Sequence, residues 1–276
     1  MGRRGFTLIE LSIVLVIIGL VIGGIVVGRD LIEGFRIRSA IGQIEKYKTA
    51  VGTFQLKYNA LPGDMTEAQA DDAGFTFPSS RPDTAYITHG NQLIEYGNTN
   101  ATALAGIGGE GAMFWQDLSF ALLIEGSFTS STISNLTTAT MGTILPASVI
   151  GNNNWIAAGG VTGGFPSPWQ TPYVPRGNYF FLAGIASTNG SGRPTTQSNL
   201  STIQAQAIDS KVDDGYPFAG TVRASNYTTD LQVNFLTQSA NNPCGALRIW
   251  GASGDIYQTK LYSNTLACQL SFRFTN

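Results

Sequence analysis

One stretch near the start of this chain limits what it can become. Residues Leu11 to Gly28 carry no charge, and they follow a short segment holding Arg3, Arg4 and Glu10. As a helix, Phe6 to Gly28 is about 35 Å long. That crosses a hydrocarbon core of about 30 Å with some tilt. A secretory signal has a shorter apolar core, followed by an Ala-x-Ala-like cut. Here the apolar run ends in Gly28-Arg29-Asp30, so it reads as a membrane span. Arg3 and Arg4 precede it, and Arg29, Arg36 and Arg38 follow it, so charge alone does not orient it.

Glu10 is the anomaly, a carboxylate one turn inside the apolar segment. At membrane depth it costs on the order of a few kcal/mol, less near an interface. Either it reaches the headgroups or it has a partner; the residues alone leave both open. The run Gly5-Phe6-Thr7-Leu8-Ile9-Glu10, ahead of a long apolar stretch, resembles the processing site of the type IV prepilin and type II secretion pseudopilin family. The resemblance implies that residues 1–5 are a leader and that a prepilin peptidase cuts between Gly5 and Phe6. The same enzyme then methylates the new amine of Phe6. Glu10 becomes the assembly residue, pairing with the N-terminal amine of a neighbouring subunit, and the N-terminus starts in the cytoplasm. Many members have a proline about 22 residues into the mature chain, where this sequence has Val27. Gly19-x-x-x-Gly23 and Gly24-x-x-x-Gly28 either replace its flexibility, let helices approach closely in lipid, or reflect ordinary membrane-helix composition.

Beyond residues 6–28 the helical pattern continues in amphipathic form over 29–60. Ile37, Ile41, Ile44, Tyr47, Val51, Phe54 and Tyr58 recur every three or four residues and make one apolar stripe. Leu61-Pro62-Gly63-Asp64 is a stop and turn signal. The resemblance implies that the second half of this helix packs on an antiparallel sheet in a head domain, residues 61–276. The expected class is α+β and pilin-like, with loop-rich insertions in the head.

Within the head, Glu110 to Glu125 reads as a short helix ending at Gly126, and Ser201 to Asp213 as another with Ile203, Ala207, Ile208 and Val212 on one face. Residues 127–145 are Ser/Thr-rich and read as loop or weak strands. Gly151 to Pro175, rich in Gly, Asn and Pro, reads as an exposed insertion that includes Trp155 and Trp169. Asn178 to Ala186, Ala246 to Trp250, Asp255 to Leu261 and Cys268 to Phe274 read as strands. In the last, Cys268, Leu270, Phe272 and Phe274 alternate with polar residues, so one face is expected to be buried.

Outside the cytoplasm disulfides persist, so Cys244 and Cys268 are expected to be bridged, as a C-terminal loop is in many type IV pilins; two buried thiols are the alternative. Asp209, Asp213 and Asp214 gather at the C-terminal end of a helix, where negative charge is unfavourable. Either they hold Ca2+, which prefers such oxygen ligands, or they form a solvated turn with Lys211 nearby and Gly215 as its cap.

Composition narrows the function. With a net charge of −2 there is no basic excess to neutralise phosphates, so no nucleic-acid partner is expected. A single histidine and two cysteines leave almost no material for a metal cluster or a Ser-His-Asp triad, so no enzyme is expected. The expected role is structural: a pilin, minor pilin or pseudopilin subunit of a type IV pilus or type II secretion pseudopilus. Its expected partners are the prepilin peptidase, other subunits, an inner-membrane assembly platform and the membrane itself. It would sit in the bacterial inner membrane first, then in a periplasmic or extracellular filament. The alternative is a tip adhesin whose head binds through Trp155, Trp169 and Tyr173.

Overall fold

The structure, a computed structural model, describes residues 7–75, 88–95, 104–105, 109–129, 141–161, 175–188, 194–197, 199–225, 231–232, 244, 257 and 266–275. It has the α+β, pilin-like layout: a long N-terminal helix followed by an antiparallel sheet.

Helix α1 runs Leu8–Tyr58. It starts at Thr7, whose side chain accepts from the Glu10 N–H at 3.3 Å while the Glu10 carboxylate accepts from the Thr7 N–H at 2.8 Å. This reciprocal capping box satisfies two of the orphan donors of the first turn. The helix ends where Asn59 turns left-handed (φ 52°) and donates its N–H to the Gln55 carbonyl. Its first half is exposed apart from the half-buried Gly28 and Glu33, and it is long and apolar enough to cross a membrane. The second half buries Ile37, Ala40, Ile44, Tyr47, Val51 and Phe54. The expected stripe is therefore present, with Ile41 and Tyr58 only partly covered.

The head follows. Short helix α2 is Glu67–Ala73, and strand β1, Leu104–Ala105, pairs with β7, Leu231–Gln232. Helix α3, Gly109–Phe120, is shorter than expected. Leu122 sits left-handed at φ 57°, which ends the helix before the glycine at 126. The main sheet is antiparallel. Strand β2 (Asn154–Val161) pairs with β3 (Gly177–Thr188), β3 with β8 (Leu266–Arg273), and β8 with the short β5 (Leu200–Ser201). Strand β4 (Pro194–Gln197) joins β3, and β6 (Val222–Ser225) joins β8. The C-terminal strand is thus central. Helix α4, Thr202–Val212, packs beside it.

The face of the sheet toward the helices carries Phe180 opposite Phe272, and Leu182 opposite Leu270. Phe180 meets Tyr47 of α1 at 6.2 Å, and Phe114 and Trp115 of α3 at 5.8 and 5.9 Å. Burying apolar area of this kind at about 25 cal/mol per Å2 is what attaches the sheet to the helix.

Three expectations need correction. The first part of the stretch expected as an exposed insertion is not one: Asn154–Val161 is a sheet strand, and Trp155 is buried. Gly160 in this strand serves close approach. A Cβ on Gly160 would lie 2.7 Å from the Leu93 side chain and 2.8 Å from the Asn178 amide oxygen. On α4, Ile203 is exposed, and the inward face is Thr202, Gln204, Ala205, Ile208 and Asp209. The register follows from the cap, because Gln204 must fold back onto Ser201. On β8 both faces are buried, Gln269 and Ser271 included. Trp169, Tyr173, residues 130–140 and the two strands expected over 246–250 and 255–261 lie outside the described residues, Tyr257 apart.

Candidate functional site

The first candidate site is the start of α1. Gly5 and Phe6 lie outside the described residues. Glu10 is described, and its carboxylate takes both the N–H of Thr7 at 2.8 Å and its hydroxyl at 2.9 Å. A side chain that is costly in lipid is thereby given donors from its own helix end, and its negative charge lies at the positive end of the helix dipole. Thr7 was not singled out from the sequence; the Thr-x-x-Glu spacing of a capping box would have found it.

The second is the pair Cys244 and Cys268, which are bonded, with their Cα atoms 5.2 Å apart. Cys268 sits in central strand β8 and is fully buried. The bridge therefore ties chain position 244 directly to the core.

The third is the acidic cluster. Ligand oxygens of Asp209, Asp213 and Asp214 lie within 4.8 Å of one another. Asp209 is buried and accepts from the Tyr257 hydroxyl at 2.8 Å and the Gly215 N–H at 3.2 Å. Burial raises its pKa to about 7, against the pull of those two hydrogen bonds. Asp213 accepts from the N–H groups of Thr221 and Val222, and Asp214 from that of Tyr216. Backbone donors thus already neutralise part of the negative charge. The cluster organises the turn from α4 into β6, whether or not a cation joins it.

A fourth cluster escaped the sequence reading. Asp64, the last residue of the α1 stop signal, and Glu110, in the first turn of α3, are both buried and near each other. Burial and then the Asp64 charge push Glu110 up to about 10, and burial pushes Asp64 up to about 6.

A comparison with protein families matches residues 1–26 to the model described as a prokaryotic N-terminal methylation motif. No curated protein and no solved structure gives a significant match. The chain thus carries the signature of type IV pilins and pseudopilins over its first 26 residues. That motif implies processing by a prepilin peptidase and assembly with other pilin-type subunits, which are structural proteins rather than enzymes. The motif and the apolar helix are consistent with membrane anchoring before assembly.

Proposed function

We propose that this chain is a structural filament subunit without catalytic activity, made as an inner-membrane precursor with its N-terminus in the cytoplasm. The peptidase cuts between Gly5 and Phe6 and methylates the Phe6 amine. The subunit is then drawn through the assembly platform into a type IV pilus or a type II secretion pseudopilus. The observation that carries this reading is the placement of Glu10. It is the one acidic residue between Met1 and Gly28, and it sits at the N-terminal tip of an otherwise apolar, exposed half-helix.

The physics fits assembly. In a filament the apolar halves leave the lipid and pack on one another. An unpaired carboxylate in that dry core is costly, and a neighbour's N-terminal ammonium offsets the cost. A buried polar pair of this kind fixes register at the expense of stability. The head hangs on the second half of the same helix and is carried along with it.

The test is the mass and N-terminal sequence of the protein from its native membrane, with and without the peptidase. A peptidase-dependent chain beginning at methylated Phe6 is expected. A chain beginning at Met1, or one cut beyond Gly28, refutes the reading.

The adhesin alternative loses one of its three aromatics, because Trp155 lies in the core. For the cluster of Asp209, Asp213 and Asp214 the proposed ligand is Ca2+, supported by the closeness of three hard oxygen donors. Calcium in excess should raise the melting temperature of the head relative to EDTA. An unchanged melting curve removes the cation.

A further inference from the structure

The head meets its stem close to where the stem leaves the apolar segment. Gln204, in the first turn of α4, donates its side-chain amide to the Glu33 carboxylate of α1 at 2.6 Å. Glu33 lies five residues beyond Gly28, about 7.5 Å along the helix. The polar layer of one leaflet is about 5–8 Å deep. With residues 6–28 in the hydrocarbon, the first turn of α4 therefore sits at headgroup depth.

The end of the sheet at this level can be identified. Ser201, the cap of α4, pairs with Leu266 at the start of β8. Beyond the other end of β8, the Phe274 ring lies 5.9 Å from Phe114 of α3, and Phe114 lies against Gly63, just past the end of α1. Leu266 and the first turn of α4 thus form the base of the head, nearest the apolar segment. Where this base is open it is apolar: Leu266 is 52% and Ile203 45% exposed. On α1, Glu33 shares a face with the buried Ile37, Ala40 and Ile44. Leu31, Ile32 and Phe35 lie on the opposite side and are exposed. The apolar surface of the span therefore runs on to the level at which the head begins. Arg29, Arg36 and Arg38 are exposed around the same level, against one fully exposed carboxylate in this stretch, Asp30.

We propose that the base of the head seats on an anionic bilayer surface while the subunit is held in the membrane. Ile203 and Leu266 enter the interfacial layer, and Arg29, Arg36 and Arg38 take lipid phosphates. The occupant follows from continuity, because this surface adjoins the span and begins where the span ends. The inference rests on residues 6–28 crossing the bilayer. The seat fixes the orientation of the head, and it has to be undone together with the span when the subunit leaves the lipid.

The test uses the full chain in vesicles of phosphatidylcholine with phosphatidylglycerol, or of phosphatidylcholine alone. A fluorophore is attached in turn at Val16→Cys, Ile203→Cys and Tyr216→Cys; Cys244 and Cys268 are bonded to each other, so the introduced thiol is the one that reacts. Tyr216 is also 45% exposed, beyond the opposite end of α4, and serves as the matched control. Nitroxide lipids with deep and shallow labels quench what they touch. In the anionic vesicles the deep label should quench position 16 and the shallow label position 203, with position 216 unquenched. In phosphatidylcholine alone, position 203 should recover while position 16 stays quenched. Arg36→Gln combined with Arg38→Gln should give the same recovery in the anionic vesicles. Quenching at 16 without quenching at 203 overturns the seat and leaves the span standing. No quenching at 16 refutes the span, and the seat with it. Equal quenching of 203 in both vesicle types, or wild-type quenching in the double arginine variant, means that the stem merely holds the label near lipid, and overturns the proposal.

Discussion

Removing the Phe54 ring tests whether the second half of α1 is the spine of the head. Phe54 is 0% exposed and meets Tyr58 at 4.6 Å and Phe75 at 5.7 Å. Two positions further along the same helix, Leu56 is 90% exposed. Truncating a fully buried Phe to Ala costs about 4 kcal/mol, the lost transfer energy plus the cavity left behind. For a domain of about 200 residues each kcal/mol moves the melting temperature by about 2–4 °C. Phe54→Ala should therefore melt roughly 8–16 °C below the wild type. Leu56→Ala removes little packing and gains slightly in helix propensity, so it should stay within about 2 °C. Both are read by near-UV circular dichroism on the full chain in detergent, where the buried ring of Trp115 reports head packing. Equal shifts for the two variants would refute the assignment of buried and exposed faces, and with it the docking of sheet on stem.

Gly160→Ala places a Cβ 2.7 Å from the Leu93 side chain and should cost about 2 kcal/mol in chemical denaturation; wild-type stability would show that β2 is not packed as described. Removing both Cys244 and Cys268 opens a loop of sequence separation 24 and should cost about 3 kcal/mol, checked by comparing reduced and oxidised melts. Asp209 has a folded pKa of about 7, above its unfolded value of about 3.9. Its contribution is therefore fully present below about pH 4 and lost as pH rises through about 7. Asp209→Asn should flatten the stability profile in that window, and an unflattened profile means another group titrates there.

The stem was legible because its signals are local. Lack of charge over a bilayer's length and a stripe repeating every three or four residues need no knowledge of the partner surface. Strand β2 was hidden because Ala157, Ala158, Gly159 and Gly160 look like linker composition, whereas in the fold Gly160 lets Leu93 and Asn178 approach the backbone. Periodicity misled on β8, where Gln269 and Ser271 read as a solvated face although both faces are covered. The burial of Asp64 and Glu110 had no local trace at all. Each sits among turn-forming residues, and only tertiary packing brings together groups so far apart in sequence and shifts them. The acidic residues of α4 were visible as a sequence cluster, but the donors of Thr221, Val222 and Tyr257 that partner them were not.

Glu10 carries two roles that one substitution can separate. As the third residue of α1 it closes the capping box with Thr7, and as an anion it is proposed to meet a neighbour's ammonium. Glutamine closes a capping box as glutamate does, so Glu10→Gln keeps the helix start. It removes only the charge, and with it the cost of holding a carboxylate near lipid. Membrane insertion and cleavage at Gly5 should therefore match the wild type, as read by immunoblot of the membrane fraction. Filament in the sheared or pseudopilus fraction should fall to background, because a neutral amide leaves the incoming ammonium unpaired in a dry core. If Glu10→Gln assembles normally, charge pairing is refuted and the carboxylate serves only as a cap. If it fails to insert, the cap depends on charge, and the separation of roles argued from the Thr7 hydrogen bonds is wrong.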